Sequence, residues 1–177
     1  MKITDADIKI IQDSRGQNTL EAELKSEKFF ASASVPSGKS RGKHEAFVLE
    51  PKLALGKFEE IKPQILSREF NNQEEFDNFL ISLDATPNKQ NLGGNLILAL
   101  SLASARLKAK NENLELFQYV QSIRHFSDRL ISQLPRPIFN VINGGAHGTH
   151  PQSKLNFQEF QVIPEVKDFG IAYGLGQ

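Results

Sequence analysis

The sequence has 177 residues, enough for one or two domains, of which 39% are hydrophobic and 24% charged. The 21 basic and 21 acidic residues balance, so net charge indicates no nucleic-acid or membrane partner. The absence of cysteine excludes disulfides, cysteine zinc sites and cysteine nucleophiles. The N-terminus lacks a hydrophobic signal region, and residues 96–105 are too short an apolar run to span a bilayer. We therefore expect a cytoplasmic protein without a membrane span.

The first 35 residues predict a three-stranded antiparallel meander. The three strand-like runs, separated by polar turns, lie at residues 7–11, 19–24 and 29–35. In the second run, leucine and alanine alternate with Glu21 and Glu23, which is typical of a strand with one buried face.

Residues 37–45 form a loop rich in glycine, hydroxyl groups and cationic side chains. Such a loop can close over a phosphate or a metal ion, but a solvated surface loop has the same composition. Gly38, Lys39 and Ser40 superficially resemble part of a P-loop. We exclude a P-loop because the first glycine and its spacing are missing.

From residue 55 onward the spacing of apolar residues predicts helices. Phe58 and Ile61 begin the first helical pattern, and we expect Pro63 to interrupt it. Asn71 or Asn72 can cap the next helix. The apolar stripe of that helix consists of Phe76, Phe79, Leu80 and Leu83.

Gly93 and Gly94 precede a third helix that extends to about Lys110. Because residues 96–105 are apolar nearly all round, we expect this helix to be central and buried. A fourth helix is predicted over 114–123, with an apolar stripe of Leu116, Val120 and Ile123. Strands followed by helices, rather than alternating with them, indicate an α+β domain.

Two further strands are predicted over 137–142 and 157–163. Between them lie Asn143, Gly144 and Gly145, followed by His147 and His150. Adjacent glycines allow a sharp turn or a close approach to a ligand. The segment is therefore either the edge of a binding site or an ordinary turn.

The sequence as a whole resembles the N-terminal part of the enolase family. Five segments in the same order carry the resemblance: DSRGQNTLEAEL at 13–24, ASVPSGKSRGKHEA at 33–46, LISLDATPNKQNLGGNLILALSLASA at 80–105, LPRPIFNVINGGAH at 134–147 and QEFQVIP at 158–164. The resemblance implies an α+β N-terminal domain at 1–125, a linker at 126–133, and the opening strands of an incomplete TIM-like α/β barrel at 134–177.

Enolases dehydrate 2-phosphoglycerate to phosphoenolpyruvate with Mg²⁺, so the resemblance implies this glycolytic reaction, its substrate and its metal. It also assigns roles to four residues. His147 and Glu159 match catalytic residues that also bind substrate, Gln158 matches a substrate-binding glutamine, and Ser40 matches a loop ligand of the second Mg²⁺. Because a regular strand places neighbouring residues on opposite faces, we expect a twist or a bulge where Gln158 and Glu159 both line the site.

The sequence also departs from the family pattern. It ends at Gln177, before the lysine base and the main Mg²⁺ carboxylates of enolases, so we expect an incomplete chain. Lys39 and Arg41 flank the loop serine, and the loop at 148–157 is longer than usual. Because of these differences, the sequence does not decide whether the two loops close over a substrate as they do in enolases. Enolases commonly form homodimers, and the resemblance places Arg15 and Glu21 towards the partner subunit.

Three hypotheses about function remain. The first is an enolase that is active only with the rest of its barrel. The second is a non-catalytic enolase-derived interaction module or decayed fragment. The third is a general phosphate- or nucleotide-binding domain built on Gly38–Gly42, whose loop lacks a complete phosphate-binding fingerprint.

Overall fold

The computed structural model describes residues 1–38, 42–123, 134–147 and 155–176, with only the backbone of Ala146. The chain divides into two compact units, Met1–Ser127 and Asp128–Gln177. The boundary expected at 126–133 lies outside the described residues. Within the described ranges, no helix is long and apolar enough to cross a membrane.

The first unit begins with an antiparallel sheet in the order β1-β2-β3, as predicted. Its strands are β1 (Asp5–Gln12), β2 (Asn18–Lys25) and β3 (Phe30–Ser34). Ile8 lies opposite Ala22, and Leu24 lies opposite Ala31, so these apolar side chains share one face. All four are buried, and this face forms one wall of the hydrophobic core.

The helix α1 (Pro51–Ser67) shows that the expected interruption at Pro63 was wrong. Glu50 caps the helix by accepting a hydrogen bond from the Leu53 amide at 3.0 Å. Proline removes one internal hydrogen bond, which ordinarily disfavours a helix interior. Here the helix continues because Phe58 and Ile65, on either side of the proline, are both buried in the core.

The helix α2 (Gln73–Asp84) begins as the sequence predicts. The Asn72 side chain accepts from the Glu75 amide at 2.8 Å, and the Glu75 carboxylate accepts from the Asn71 amide at 2.8 Å. These reciprocal bonds satisfy amide groups at the helix start. The predicted stripe packs inward, with Phe76, Phe79 and Leu80 buried.

The helix α3 (Gly94–Asn111) packs against β2, β3, α2 and the last helix of this unit, α4 (Leu116–Ile123). The helix α3 is central, as expected, but it is not buried on every side, and the apolar stripe of α4 is not its buried face. Leu98 and Leu102 of α3 are 43% and 38% exposed, because the packed elements cover the helix only in part. In α4 the predicted stripe is exposed, and Tyr119 is the buried residue instead.

The described residues of the second unit form an antiparallel strand pair and a short helix. The strands are β4 (Phe139–Asn143) and β5 (Glu159–Val162), and the helix is α5 (Phe169–Leu175). Asp168 caps α5 by accepting from the Ile171 amide at 2.9 Å. It remains a prediction that β4 and β5 are the first strands of a larger barrel.

Candidate active site

The pairing of β4 with β5 sorts their side chains into a polar and an apolar face. Directly opposite residues of an antiparallel pair lie on the same face. On one face the opposed pairs are Asn143 with Glu159 and Asn140 with Gln161. On the other they are Phe139 with Val162 and Ile142 with Phe160.

A bulge in β4 makes this sorting possible. The register shifts between Asn140 and Ile142, which leaves Val141 as the extra residue. Without the bulge, Asn140 and Asn143 are three residues apart and fall on opposite faces. With it, the Asn140 amide nitrogen donates to Asn143 Oδ1 at 2.6 Å.

The carboxylate of Glu159 is held at both oxygens. Asn140 Nδ2 donates to Oε2 at 2.5 Å, and Gln161 Nε2 donates to Oε1 at 3.1 Å. Glu159 is only partly exposed, whereas Asn140 and Gln161 are exposed. These two hydrogen bonds fix the plane of the Glu159 carboxylate, to which the family resemblance assigns a role.

The glycine-hinged loop brings His147 to Gln158. Gly144 donates its amide to the Gln158 carbonyl at 2.7 Å, and its own carbonyl accepts from the His147 amide at 3.0 Å. A short 3₁₀ turn, Gly145–His147, follows. In this geometry Gln158 Nε2 lies 3.2 Å from His147 Nε2.

Gly144 is needed because the two chain segments approach closely. A Cβ atom at this position would lie 2.3 Å from the Phe157 carbonyl oxygen and 2.7 Å from Leu155 Cβ. Gly145 has φ +54°, with open space around the position of a Cβ atom. Close packing thus requires glycine at position 144, whereas the positive φ favours glycine at position 145.

The structure describes three of the four predicted site residues. It brings His147 and Gln158 into contact, and Glu159 follows directly in the chain. The bulge expected between Gln158 and Glu159 lies instead in β4, and β5 begins only at Glu159. Gln158 therefore precedes the regular strand, where strict alternation of faces does not apply.

Other parts of the predicted site lie outside the described residues: Ser40 with its neighbours Lys39 and Arg41, His150, and most of the 148–157 loop. Near the first of these loops, Arg15 Nη2 donates to the Ser37 carbonyl at 2.7 Å and is 3.3 Å from Asp13 Oδ2. At the other end, the Gly42 amide donates to Glu45 Oε1 at 2.7 Å. The Ser37 end is thus tied to Arg15, whereas the Gly42 end has a local bond within the loop.

A loop after α2 supports the segment that follows Gly42. The Phe47 amide donates to the Asn88 carbonyl at 2.7 Å, and the Gly94 amide donates to the Phe47 carbonyl at 2.6 Å. Asn95 bonds both backbone groups of Leu49, through its side-chain oxygen at 3.0 Å and its nitrogen at 2.9 Å. These bonds tie residues 47–49 to the start of α3.

Metal ligands are a separate question from substrate contacts. Among residues 1–38, 42–123, 134–147 and 155–176, no group of three or more histidine, cysteine, aspartate or glutamate side chains is close enough to hold a metal ion. Ser40, the predicted loop ligand, lies outside these ranges.

Sequence reasoning missed Asn140 and Gln161, and it gave Asn143 only as part of the glycine-hinged loop. Gln161 could have been found, because it lies two residues after Glu159 on a predicted strand and so shares its face. No sequence signal placed Asn140 and Asn143 on that face. Their common face depends on the bulge at Val141, and that depends on how two distant segments pair.

In the described residues, one meander and four helices form an α+β domain, and the second unit contains an antiparallel strand pair with a glycine-hinged histidine loop. The family model described as "Enolase, N-terminal domain" matches residues 3–120. The chain belongs to the enolase family.

Two curated relatives extend the similarity into the second unit. The chain is 42% identical over 167 aligned positions to a protein named "Enolase" from Ehrlichia canis (strain Jake), covering 87% of this chain and 38% of the relative. It is 39% identical over 177 positions to "Enolase" from Ehrlichia ruminantium (strain Welgevonden), covering 93% and 40%. The chain thus spans about two-fifths of the length of these relatives.

Proposed function

We propose that this chain supplies the N-terminal domain and the beginning of the catalytic barrel of an enolase, which interconverts 2-phosphoglycerate and phosphoenolpyruvate. The observation that carries the proposal is the hairpin geometry. His147 is in contact with Gln158, and the next residue, Glu159, has its carboxylate fixed at both oxygens. Family membership supplies the reaction, and the hairpin supplies groups suited to it.

The reaction removes a proton from C2 of the substrate and a hydroxyl group from C3, which leaves as water once it is protonated. We assign Glu159 to the proton transfer at the leaving hydroxyl, because a positioned carboxyl group can act as a general acid there. Gln158 offers a neutral amide for a hydrogen bond to substrate, and His147 packs on bound substrate. The base at C2 is assigned to no residue of this chain.

Mg²⁺ belongs to the proposal through the family, with the Ser40 hydroxyl as a loop ligand. When bound, the ion would neutralise the negative charge that builds up on the substrate carboxylate as the C2 proton leaves. The roles assigned to His147, Gln158 and Glu159 depend on their own side chains and do not involve the ion.

A homodimer and a cytoplasmic location are also part of the proposal. Arg15 and Glu21 lie in the segment expected to face a partner subunit. In the isolated chain, Arg15 binds Asp13, and Glu21 Oε2 accepts from the Ser34 hydroxyl at 2.9 Å. Both side chains are thus ordered by neighbours of their own chain.

The test joins this chain to the part of the Ehrlichia canis enolase that follows the matched region. Phosphoenolpyruvate formation from 2-phosphoglycerate is measured with Mg²⁺ for the chimera, for the chain alone and for the Glu159→Gln chimera. We expect turnover by the unsubstituted chimera only. A folded but inactive chimera, with active Ehrlichia enolase as the control, would favour a non-catalytic enolase-derived module instead.

A further inference from the structure

We infer that Asn140 and Gln161 are positioning residues that hold the carboxylate of Glu159 in one orientation. The catalytic role of this positioning rests on the proposed function. The hydrogen bonds of Asn140 and Gln161 to Glu159 can be tested without any measurement of activity. Neither residue belongs to the site that the sequence predicts.

Asn140 uses both hydrogens of its side-chain amide. One hydrogen is donated to Glu159 Oε2 at 2.5 Å, and the other to Asn143 Oδ1 at 2.6 Å. The second bond fixes the rotation of the Asn140 amide group, so the donor that faces Glu159 cannot turn away without losing both partners. Asn143 lies directly opposite Glu159 in the ladder, which closes the group of three side chains.

Gln161 reaches the other carboxylate oxygen. It lies on the same strand and the same face as Glu159, and its Nε2 is 3.1 Å from Oε1. Donors on Oε1 and Oε2 together restrain rotation about the last side-chain bond of Glu159. A single donor would leave that rotation much freer, because torsions next to a planar carboxylate are broad.

The chemistry of the two donors suits a residue that exchanges a proton. Side-chain amides remain neutral across the ordinary pH range, so they orient the carboxylate without supplying a competing acid or base. A carboxylate has about four acceptor positions, and two amide donors leave about two for a substrate hydroxyl. Orientation by neutral neighbours therefore preorganises the Glu159 side chain for contact with a substrate hydroxyl.

The bulge at Val141 explains why this arrangement needs a special backbone. It moves Asn140 to the face of Glu159, and bulges commonly redirect side chains next to active sites. Val162 lies on β5 on the opposite, apolar face and is 50% exposed. Its truncation to alanine is therefore a matched control that leaves the bulge intact.

The first experiment tests the contact in the chain as it exists. The side-chain amide NMR signals of Asn140 and Gln161 are followed as pH is lowered, in the unsubstituted chain and in Glu159→Gln. We expect both signals to shift with pH in the unsubstituted chain and to lose that shift in the variant. Signals that titrate identically in the two proteins would overturn the inference.

The second experiment separates positioning from a structural role. In the chimera, Asn140→Ala and Gln161→Leu should each lower kcat about ten- to a hundredfold, the range for one hydrogen bond to a charged group, with KM changed about twofold or less. Val162→Ala should leave both constants unchanged. A merely structural role would instead lower the melting temperature and the yield of folded protein, with kcat per folded molecule intact.

The outcomes distinguish the two proposals. An active chimera that Glu159→Gln inactivates, but that Asn140→Ala and Gln161→Leu leave at full kcat, overturns the positioning role and keeps the proposed function. An inactive unsubstituted chimera overturns the proposed function, and the NMR titration then decides alone whether Asn140 and Gln161 hold Glu159.

Discussion

Gln158 Nε2 lies 3.2 Å from His147 Nε2, a contact that joins the two ends of a loop otherwise linked through Gly144. The imidazole nitrogen can accept from the amide nitrogen in the tautomer in which Nδ1 carries the proton. A histidine that packs on a substrate benefits from such a restraint, because its ring plane is set before the substrate arrives.

Gln158→Leu, which has a similar size and no polar atoms, tests this contact. We expect kcat/KM of the chimera to fall about three- to tenfold, which corresponds to the net value of one neutral hydrogen bond. The ¹⁵N shift of His147 Nε2 should move, since its bonding partner is gone. An unchanged shift would mean that the two side chains do not interact in solution. Gln64→Leu, at an exposed glutamine on α1, is the control for a change in side-chain polarity.

Gly144→Ala should disrupt the hairpin. The new Cβ would lie 2.3 Å from the Phe157 carbonyl oxygen, so the segment must move and the bond from the Gly144 amide to Gln158 must weaken. Overpacking of this kind costs about 1–3 kcal/mol. The measurement is the change in backbone amide NMR shifts along β4 and β5, together with chimera activity, which should fall about tenfold or more.

Gly145→Asn is the matched control, because Gly145 has φ +54° and open space around it. Asparagine tolerates the left-handed conformation better than other residues with a side chain. We expect the amide shifts of β4 and β5 and the chimera activity to be largely kept. Equal damage by both substitutions would show that the close contact at Gly144 is not what constrains the loop.

The sequence predicted elements whose signals are local. The Asn72 cap and the Phe76, Phe79 and Leu80 stripe both lie within one helix, so spacing alone reveals them. The meander was equally accessible, because alternation in β2 fixes which face is buried. The loop that carries His147 was recognisable from its residues as a possible binding-site edge, whereas the roles of His147, Gln158 and Glu159 came from the family resemblance.

What the sequence did not predict depends on packing between distant segments. Pro63 alone predicts a break in the helix. The helix continues because Phe58 and Ile65, on either side of the proline, are buried. Tyr119 carries a polar group, so an apolar stripe omits it, yet it is the side chain of α4 that is buried. Burial raises the pKa of its phenol to about 12, with the Glu112 and Asp77 charges adding to the effect.

Arg15→Met should loosen the segment before the first loop. The guanidinium donates to the carbonyls of Ser37 at 2.7 Å and Gly38 at 3.4 Å, and methionine keeps the length of the side chain without these donors. We expect the NMR order parameters of the Ser37 and Gly38 amides to fall from about 0.85 towards 0.6 or below. Lys9→Met, an exposed change on β1, is the control. Unchanged order parameters in Arg15→Met would mean that other contacts hold this segment.

Asp84 organises the loop that supports residues 47–49. Its buried carboxylate accepts from the Leu92 amide at 2.7 Å, from the Thr86 amide at 3.0 Å and from the Thr86 hydroxyl. Burial opposes ionisation, but these hydrogen bonds outweigh it and hold the pKa of Asp84 below its ordinary 3.8. The ionised form is therefore favoured more in the folded than in the unfolded chain.

Asp84→Asn should lower the free energy of unfolding of the first unit by about 1–3 kcal/mol at neutral pH, since its amide cannot accept all these bonds. A depressed folded-state pKa stabilises the chain fully above the unfolded value of about 3.9, and this stabilisation is lost as pH falls through the folded pKa. The difference between the two proteins should thus be largest above about pH 5 and shrink below about pH 4. Urea unfolding across this range measures it, with Asp7→Asn, an exposed carboxylate on β1, expected to change stability by about 0.5 kcal/mol or less. A difference that stays constant down to about pH 2 would show that the Asp84 charge does not stabilise the loop.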